Sequence, residues 1–316
     1  MPADDPTQHP SDTSEALPSF DQERFYRLLA TRDFGRPLLH YPSVTSTNDV
    51  ARAAAEGGAP SGTVVVADQQ TAGRGRLARV WFSPPGQGLW TTVLVRPGAG
   101  RPGLLTRLTP LAGVAAALAI RKRCGVPVTL KWPNDLMVGG RKLGGILAES
   151  RMEPGPTCRY AIIGLGLNVR QSAADFPAEL VGRATSLAME GARNARAGAG
   201  AGGAGGGTGG GAGGGGGGGG APDRADLLAA ILNRLEEEYL ALVNQGAEGL
   251  LCRYRMLCST VGQTVTARLG ERTLEGLATG IGPDGSLLLL PTGSAEEIAI
   301  PAGEVTIRPK SGRPSE

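Results

Sequence analysis

The sequence is poor in the residues that build the most familiar catalytic and metal sites. It has only two histidines, His9 in a Pro-rich stretch and His40 beside a short apolar run, and neither indicates a Ser-His-Asp or Cys-His site. Its four cysteines show no C-x-x-C spacing and have no paired histidines, which argues against a zinc site or a disulfide framework. Such cysteines favour a reducing compartment, and we expect the protein in the cytoplasm.

Aromatic residues and net charge are also scarce. Aromatics make up 4% of the 316 residues, so the apolar content of 41% must build a core mainly from aliphatic side chains. The 32 basic and 29 acidic residues leave a formal charge of +3. This near balance does not indicate a protein that coats nucleic acid or an anionic membrane.

Neither a secretory signal nor a membrane span is expected. Residues 1–19 contain acids and prolines where a signal would place positive charge and then an apolar run, so we predict a disordered tail. The most apolar stretch, residues 111–120, has about half of the roughly 18 residues that cross a bilayer, and basic residues follow it. A buried helix is predicted there.

One segment has almost no side chains. Residues 197–220 contain 18 glycines in 24 positions, so they have nothing to pack and should behave as a flexible coil. We therefore predict a disordered insertion over residues 191–222, inside a folded domain of residues 20–259.

The rest of that domain alternates short β-like runs with helices, which is typical of a mixed fold. Residues 46–56, 109–125 and 223–246 begin with capping residue types and end at a glycine or directly before one, which predicts three helices, the second with Thr109 as its N-cap. Strands are predicted at residues 63–67, 89–95, 128–131, 146–149 and 160–164.

The pattern changes near residue 260. Residues 260–312 contain short strands separated by turns, and Gly-Pro-Asp-Gly at 282–285 indicates a hairpin. A small C-terminal β-barrel is predicted.

The densest candidate site is residues 68–81, DQQTAGRGRLARVW. Gly73 and Gly75 allow close backbone approach to a ligand, and the arginines among them match the oxygens of phosphates and carboxylates. A solvated basic turn and an RGG-like segment that binds RNA are alternative interpretations of the same residues.

A second dense segment is residues 131–149, KWPNDLMVGGRKLGGILAE. An ordinary β-hairpin with a Gly-Gly tip would explain the turn and the charges. The tryptophan, the proline, the Asn-Asp pair and the two glycine pairs leave little sequence for simple packing, which favours a functional site.

Two further segments give weaker indications. Gly164 and Gly166 interrupt a strand that ends at Asn168, and such glycines mark a bulge, a close ligand or a tight crossing of backbones. The polar cluster at residues 43–48, SVTSTN, opens a helix, and capping explains most such clusters. Capping is compatible with ligand binding, because a helix N-terminus with hydroxyls attracts oxygen atoms.

Taken together and in this order, the four segments resemble the biotin protein ligase family. The resemblance is close over residues 45–169, and the terminal barrel suits the family's C-terminal domain. It implies an α+β fold: a mixed β-sheet with helices, like that of class II aminoacyl-tRNA synthetases, and then a small SH3-like β-barrel. The similar motifs are GRGR at 73–76 with Trp81 after it, KWPND at 131–135, RKLGGIL at 141–147, STN at 46–48 and G-x-G-x-N at 164–168.

The resemblance also implies roles for individual residues. Arg76 and Lys142 would be catalytic, and Asp135 would hold magnesium. Leu77 and Ala78 depart from the family, whose loop often continues with glycine and a basic residue. Biotin would be bound by Ser46, Thr47, Asn48, Gln70, Arg74, Gly75, Arg76 and Lys142. ATP or the adenylate would be bound by Arg74, Trp81, Lys131, Asn134, Asp135 and Asn168.

The implied reaction has two steps. The biotin carboxylate attacks the α-phosphorus of ATP to give biotinyl-5′-AMP, and the biotinyl group then passes to a lysine of the biotin carboxyl carrier domain of acetyl-CoA carboxylase or a related carboxylase. Because carboxylate and phosphate repel each other, the site must supply cations, and Arg76, Lys142 and a magnesium ion would do so. No covalent enzyme intermediate is required, which agrees with the scarcity of histidine.

Two alternatives are kept open. A lipoate-protein ligase shares the fold and the adenylation chemistry, although KWPND and GRGR favour biotin. A nucleic-acid-binding protein would use the GRGR loop, the basic helix end at 121–123 and the small barrel. Some biotin ligases also repress transcription, but residues 20–32 predict only one amphipathic helix, so no specific DNA binding is expected. A homodimer is expected from the family alone.

Overall fold

The computed structural model describes residues 19–97, 102–155, 157–193, 221–301 and 303–307. The glycine-rich tract and all of the predicted tail except Ser19 lie outside these residues. Ser19 is in contact with the folded part of the chain, because its hydroxyl donates a hydrogen bond to Asp68 Oδ2 at 3.2 Å.

Helices and strands of the described chain follow the predicted mixed pattern. The helices are α1 (Gln22–Leu28), α2 (Thr47–Glu56), α3 (Pro102–Leu105), α4 (Leu108–Cys124), α5 (Arg224–Gln245) and α6 (Glu248–Leu257), and residues 187–193 are also helical. The strands are β1 (Leu38–Val44), β2 (Val64–Gln70), β3 (Gly88–Val95), β4 (Thr129–Lys131), β5 (Asp135–Val138), β6 (Arg141–Met152), β7 (Cys158–Asn168), β8 (Thr264–Leu269), β9 (Arg272–Ile281), β10 (Leu287–Pro291), β11 (Ile298–Ile300) and β12 (Glu304–Ile307).

The strands form two sheets. The first has the order β1-β2-β3-β7-β6-β5-β4, in which β1 and β2 are parallel and all other neighbours are antiparallel. The second is antiparallel with the order β11-β10-β9-β8-β12, and its β9–β10 connection is the predicted turn at 282–285. The fold class is confirmed, and the second sheet is the predicted C-terminal barrel.

Helix α4 lies in the core beneath the first sheet. It ends at Gly125 with φ +65°, as predicted, but it begins at Leu108 after Arg107, so the prediction of Thr109 as N-cap is wrong. Leu108 is 1% exposed, and the earlier start directs this side chain into the core.

The segment Gly103–Cys124 also meets the length and hydropathy expected of a membrane span, contrary to the expectation from residues 111–120. Most of its apolar window, 67%, is buried inside the protein. A helix that is hydrophobic all round is equally suited to the core of a soluble domain. The predicted buried helix is therefore confirmed.

Helix α1 is shorter than the predicted amphipathic helix of residues 20–32. It ends at Leu28, and the backbone amides of Arg32, Asp33 and Phe34 donate to the buried carboxylate of Glu236 at 2.7 to 2.9 Å. A carboxylate on α5 thus takes the amides that a longer helix would have paired internally.

The chain on each side of residues 194–220 is fixed to the first sheet. Before this segment, the buried Glu190 accepts a hydrogen bond from Arg141 Nη2 on β6 at 3.0 Å. After it, the buried Arg224 donates from Nη2 to Asp68 Oδ1 on β2 at 2.7 Å.

Candidate active site

A cavity of about 920 Å³ lies where the first sheet, the loop of residues 71–81 and the second sheet meet. This volume is in the range of sites that hold nucleotide-sized or vitamin-sized ligands. Every predicted site residue lines it: Ser46, Thr47, Asn48, Gln70, Arg74, Gly75, Arg76, Trp81, Lys131, Asn134, Asp135, Lys142 and Asn168.

The start of α2 and the end of β2 form one end of the cavity. Gln70 Oε1 accepts from the backbone amide and the hydroxyl of Thr47 at 2.9 and 3.1 Å, and Gln70 Nε2 donates to Ser83 Oγ at 2.9 Å. Ser46 occupies the N-cap position, but its side chain makes no capping hydrogen bond. Capping therefore does not explain the Ser46 hydroxyl, and Ser46 lines a cavity suited to a polar ligand.

Asn48 is fixed by contacts on both sides of its amide. Its Nδ2 donates to Glu149 Oε2 at 2.7 Å, and its Oδ1 accepts from the hydroxyl of the fully buried Thr92 at 2.7 Å. Asn48 also lies so close to Gly164 that any Cβ at that position would overlap the amide. The first glycine of the G-x-G strand is therefore explained by a side chain that packs directly on the backbone.

Trp81 covers the second glycine of that strand. Any Cβ at Gly166 would overlap the indole, and Lys142 Nζ lies 5.4 Å from the ring centroid. Trp81 Nε1 is buried without a hydrogen-bond partner among the residues that the structure describes. A buried donor of this kind at a cavity wall is suited to an acceptor on a ligand.

The glycine-arginine loop is a tight hairpin. Trp81 N donates to Gly73 O and Gly75 N donates to Arg79 O, both at 2.8 Å. Leu77 and Ala78 form its tip, each with φ 56°, a conformation that glycine and asparagine adopt far more readily. The departure from the family at these two positions thus places ordinary side chains in the left-handed region.

Arg74 is paired with Asp49 on α2. The guanidinium donates to both carboxylate oxygens, at 2.7 and 2.5 Å, and Arg52 contacts the same carboxylate at 2.7 Å. The hydrogen bond from Arg74 is the main cause of the lowered pKa of Asp49. In this state Arg74 fixes the base of the loop, and its charge is already compensated.

Arg76 has a different environment from Arg74. It is half-buried, it donates weakly to Asn134 Oδ1 at 3.4 Å, and no carboxylate in the described chain forms an ion pair with it. Burial lowers the pKa of its guanidinium, and the charges of Asp135 and Glu304 act in the opposite direction. A partly desolvated cation of this kind is suited to an anionic ligand.

Lys142 and Asp135 face each other across β5 and β6. Lys142 Nζ lies 2.6 Å from Asp135 Oδ1. Both backbone groups of Lys142 are also hydrogen-bonded to the segment that follows β7, since its amide donates to Arg183 O at 2.8 Å and its carbonyl accepts from Thr185 N at 2.9 Å. The ammonium group is thus held at the cavity by a fixed strand.

Asn168 has a structural role. Its Nδ2 donates to Thr185 O at 3.0 Å and its Oδ1 accepts from Gln171 Nε2 at 3.3 Å, so its amide orders the segment after β7. That segment lines the cavity through residues 176, 179, 180 and 182–184.

The second sheet supplies a wall that the sequence analysis missed. Arg268, Thr306 and Glu304 line the cavity, and Arg79 forms an ion pair with Glu304. Nothing in the alternating pattern of a short barrel marks these residues as site residues, because the signal lies in how the two sheets meet. Thr92 and Glu149, in the first sheet, were also missed, because their contacts with Asn48 depend on how α2 packs on that sheet.

Comparison with known protein families matches two parts of the chain. Residues 41–168 match the model of the biotin/lipoate A/B protein ligase family, and residues 260–308 match that of the biotin protein ligase C-terminal domain. A catalytic sheet with a cation-lined cavity, followed by this C-terminal domain, defines a ligase of the biotin and lipoate class.

Individual relatives are named more narrowly. The bifunctional ligase/repressor BirA of Bacillus subtilis is 35% identical over 262 residues, which are 83% of this chain and 71% of that protein. The biotin--[acetyl-CoA-carboxylase] ligase of Mycobacterium tuberculosis is 31% identical over 265 residues, 82% of this chain and 85% of that protein. The chain belongs to the biotin protein ligase family, and it is a ligase.

A solved structure supports the same conclusion. The biotin protein ligase from Aquifex aeolicus in complex with biotin and ATP superimposes with a TM-score of 0.65 at 27% identity, covering 86% of this chain and 99% of that one. The predicted family and fold are confirmed, and the biotin interpretation is favoured over lipoate.

Proposed function

We propose that the protein condenses biotin with ATP to form biotinyl-5′-AMP and pyrophosphate. The lysine amine of a biotin carboxyl carrier domain then takes the biotinyl group as an amide, and AMP is released. The observation that carries this proposal is the cavity itself. Polar groups of α2 and β2 lie at one end, the cations Arg76 and Lys142 lie further along, and a relative with the same fold is described in complex with biotin and ATP.

The uncharged end of the cavity suits the biotin head group. Ser46, Thr47, Asn48 and Gln70 present hydroxyl and amide groups there, three of which are held by neighbouring side chains. Groups fixed in advance lose little entropy when a ligand arrives. We infer that these four residues bind the ureido group, and that Trp81 and Gly75 border the rest of the ligand.

The charged part suits the reaction centre. One carboxylate oxygen of biotin forms a bond to the α-phosphorus, and the bond from that phosphorus to pyrophosphate breaks. Arg76 and Lys142 are the proposed catalytic residues, because each places a cation where two anions must meet. Lys142 would exchange its contact with Asp135 for one with substrate oxygens.

Lys131, Asn134 and Asn168 border the same region and are proposed on the nucleotide side, and Arg74 would act there mainly by holding the loop.

Magnesium is proposed as a companion of ATP. No group of three His, Cys, Asp or Glu residues suited to a metal is present in the described ranges. Mg²⁺ is commonly held by one or two carboxylates together with substrate phosphates, and Asp135 fits that arrangement. The ion would neutralise the departing pyrophosphate.

The internal contacts of the basic residues at the end of α4 argue against the nucleic-acid alternative. Arg121 Nε donates to Val128 O at 2.7 Å, and Arg123 Nη2 donates to Asp226 Oδ2 at 2.7 Å, so these charges serve the fold. A cytoplasmic location, a homodimer and the absence of specific DNA binding stay predictions.

The direct test is incubation of the purified protein with biotin, ATP, magnesium and a biotin carboxyl carrier domain, followed by intact-mass analysis of the carrier. We expect the mass of one biotinyl group to be added only when ATP is present. Lipoate is tested in parallel, and modification by lipoate alone would replace the proposed substrate.

The Lys142→Ala variant tests the proposed catalytic role. Loss of this cation should slow adenylate formation by about 100-fold or more. Lys122→Ala, at the exposed end of α4, is the matched control and should leave the rate unchanged. Normal adenylation by Lys142→Ala would remove Lys142 from the mechanism.

A further inference from the structure

Trp132 belongs to the most specific motif of the chain, yet neither the resemblance nor the proposed chemistry gives it a role. It follows β4 directly, between Lys131 and the pair Asn134 and Asp135 that line the nucleotide part of the cavity. Trp132 also borders the cavity but is only 3% exposed. A large buried ring among ligand-facing residues calls for a separate explanation.

Both hydrogen-bond donors of Trp132 are directed towards the C-terminal part of the chain. Its indole Nε1 donates to Gly285 O at 3.1 Å, and its backbone amide donates to Thr260 Oγ1 at 2.9 Å. Thr260 is fully buried. The motif is thus attached both to the first residue of the C-terminal domain and to its β9–β10 turn.

The turn that accepts the indole is well fixed. Asp284 Oδ1 accepts from the amide and the hydroxyl of Ser286 at 3.0 and 2.6 Å, and these contacts lower the pKa of Asp284. Gly285 has φ +89°, which side-chain-bearing residues rarely adopt. Arg107, from the start of α4, donates to Pro283 O at 3.0 Å and holds the turn from the other side.

A further contact holds β4 itself. The amide and hydroxyl of Ser259 donate to Leu130 O at 2.8 and 3.1 Å. The strand that leads into Lys131 is therefore paired with the residues that enter the C-terminal domain. The contacts described above for Thr47, Asn48 and Gln70, at the opposite end of the cavity, involve none of these residues.

We propose that Trp132 is a positioning residue that ties the KWPND segment to the C-terminal barrel, so that the nucleotide end of the cavity has its working shape only while the barrel is docked. This inference rests on the proposed function. It requires that loss of the hydrogen bonds from Trp132 to Thr260 and Gly285 weakens ATP binding and use. Biotin binding in the absence of ATP should stay intact.

Two substitutions each remove one of these hydrogen bonds and keep most of the side chain. Trp132→Phe keeps a ring but removes the indole donor, and Thr260→Val keeps the shape but removes the acceptor for the Trp132 amide. Thr260→Ser retains the hydroxyl and serves as the rescue variant. Thr63→Val is the matched control, because Thr63 is equally buried and donates to Pro60 O at 2.7 Å, in a turn that does not line the cavity.

The readouts are the Kd values of biotin alone and of Mg-ATP alone by calorimetry, and KM for ATP and kcat from pyrophosphate release. We expect Trp132→Phe and Thr260→Val each to raise the Kd and KM of ATP by about fivefold or more, the loss expected for one net hydrogen bond. The Kd of biotin should stay within about twofold of the wild type. Thr260→Ser and Thr63→Val should match the wild type in every measurement.

Two results would overturn the inference: unchanged ATP binding in folded Trp132→Phe and Thr260→Val, or an equal loss of biotin affinity, which would indicate general destabilisation. The Kd of Mg-ATP separates this inference from the proposed function. A wild type that binds ATP but forms no adenylate from biotin would contradict the function, while the effect of the variants on ATP affinity would still decide the role of Trp132.

Discussion

At the scale of single residues, two glycines of β7 set how closely Asn48 and Trp81 approach the sheet. Asn48 packs on Gly164 and Trp81 packs on Gly166, with no room for a Cβ at either position. The strand bears glycine at these positions because other residues of the site occupy the space above it.

A Gly164→Ala substitution tests this packing. The added methyl group would displace Asn48, and since overpacking costs about 1 to 3 kcal/mol, the Kd of biotin should rise about tenfold or more in calorimetry without ATP. Gly191→Ala is the control, because a Cβ at Gly191 would meet open space and should leave the Kd unchanged. Unaltered biotin binding by Gly164→Ala would show that Asn48 does not contact the ligand.

At the scale of elements, the glycine-arginine loop is a hairpin with an unfavourable tip. Leu77 and Ala78 both have φ 56°, where a residue with a Cβ is less stable than glycine by about 1 kcal/mol. Other contacts of the hairpin, such as the hydrogen bonds of Gly75 and Trp81, must therefore offset this cost to hold the loop in this form.

Ala78→Gly should relieve this cost and favour the hairpin. The amides of Gly75 and Trp81, which close the hairpin, should exchange with deuterium several-fold more slowly in the variant. Ala72→Gly, before the hairpin and without a positive φ, should give no such protection. Faster exchange in Ala78→Gly would mean that the described hairpin is not the preferred form of the loop.

The sequence predicted elements whose ends are set by neighbouring residues. Asp223 caps α5 and Gly125 ends α4, as expected from residue type alone. The predicted length of α1 was wrong because a distant residue sets where this helix ends. Glu236, about two hundred residues away, accepts hydrogen bonds from the amides that follow α1.

The same distinction applies to the site. The residues that the family resemblance implied all line one cavity, because they lie on or beside the strands of one sheet. The resemblance could not show that Arg74 pairs with Asp49, or that Glu304 and Arg268 of the second sheet complete the wall. Those contacts depend on how separate elements pack.

At the scale of the whole molecule, Asp226 joins three helices. Located on α5, it accepts hydrogen bonds from Arg24 of α1 and from Arg123 of α4, the latter at 2.7 Å. The bond from Arg24 is the main cause of its lowered pKa. Because the folded-state pKa is depressed, this carboxylate stabilises the fold above its ordinary pKa of 3.8, and the contribution is lost as the pH falls towards the folded-state value.

Asp226→Asn should therefore destabilise the protein most at neutral pH. Urea unfolding at pH 7, 5 and 3.5 should show a free energy of unfolding below that of the wild type, with a difference that shrinks at the lowest pH. Glu237→Gln, at a largely exposed ion pair on the same helix, should cause little change at any pH. A constant difference between Asp226→Asn and the wild type would contradict the assigned role.

The anchoring of both ends of residues 194–220 has a consequence for how the sequence can evolve. Glu190 is held by Arg141 and Arg224 is held by Asp68, so the described residues on each side of 194–220 are fixed by an ion pair with a buried member. Selection on this part of the chain should therefore act first on Glu190, Arg141, Arg224 and Asp68, whose pairing fixes the two flanking points.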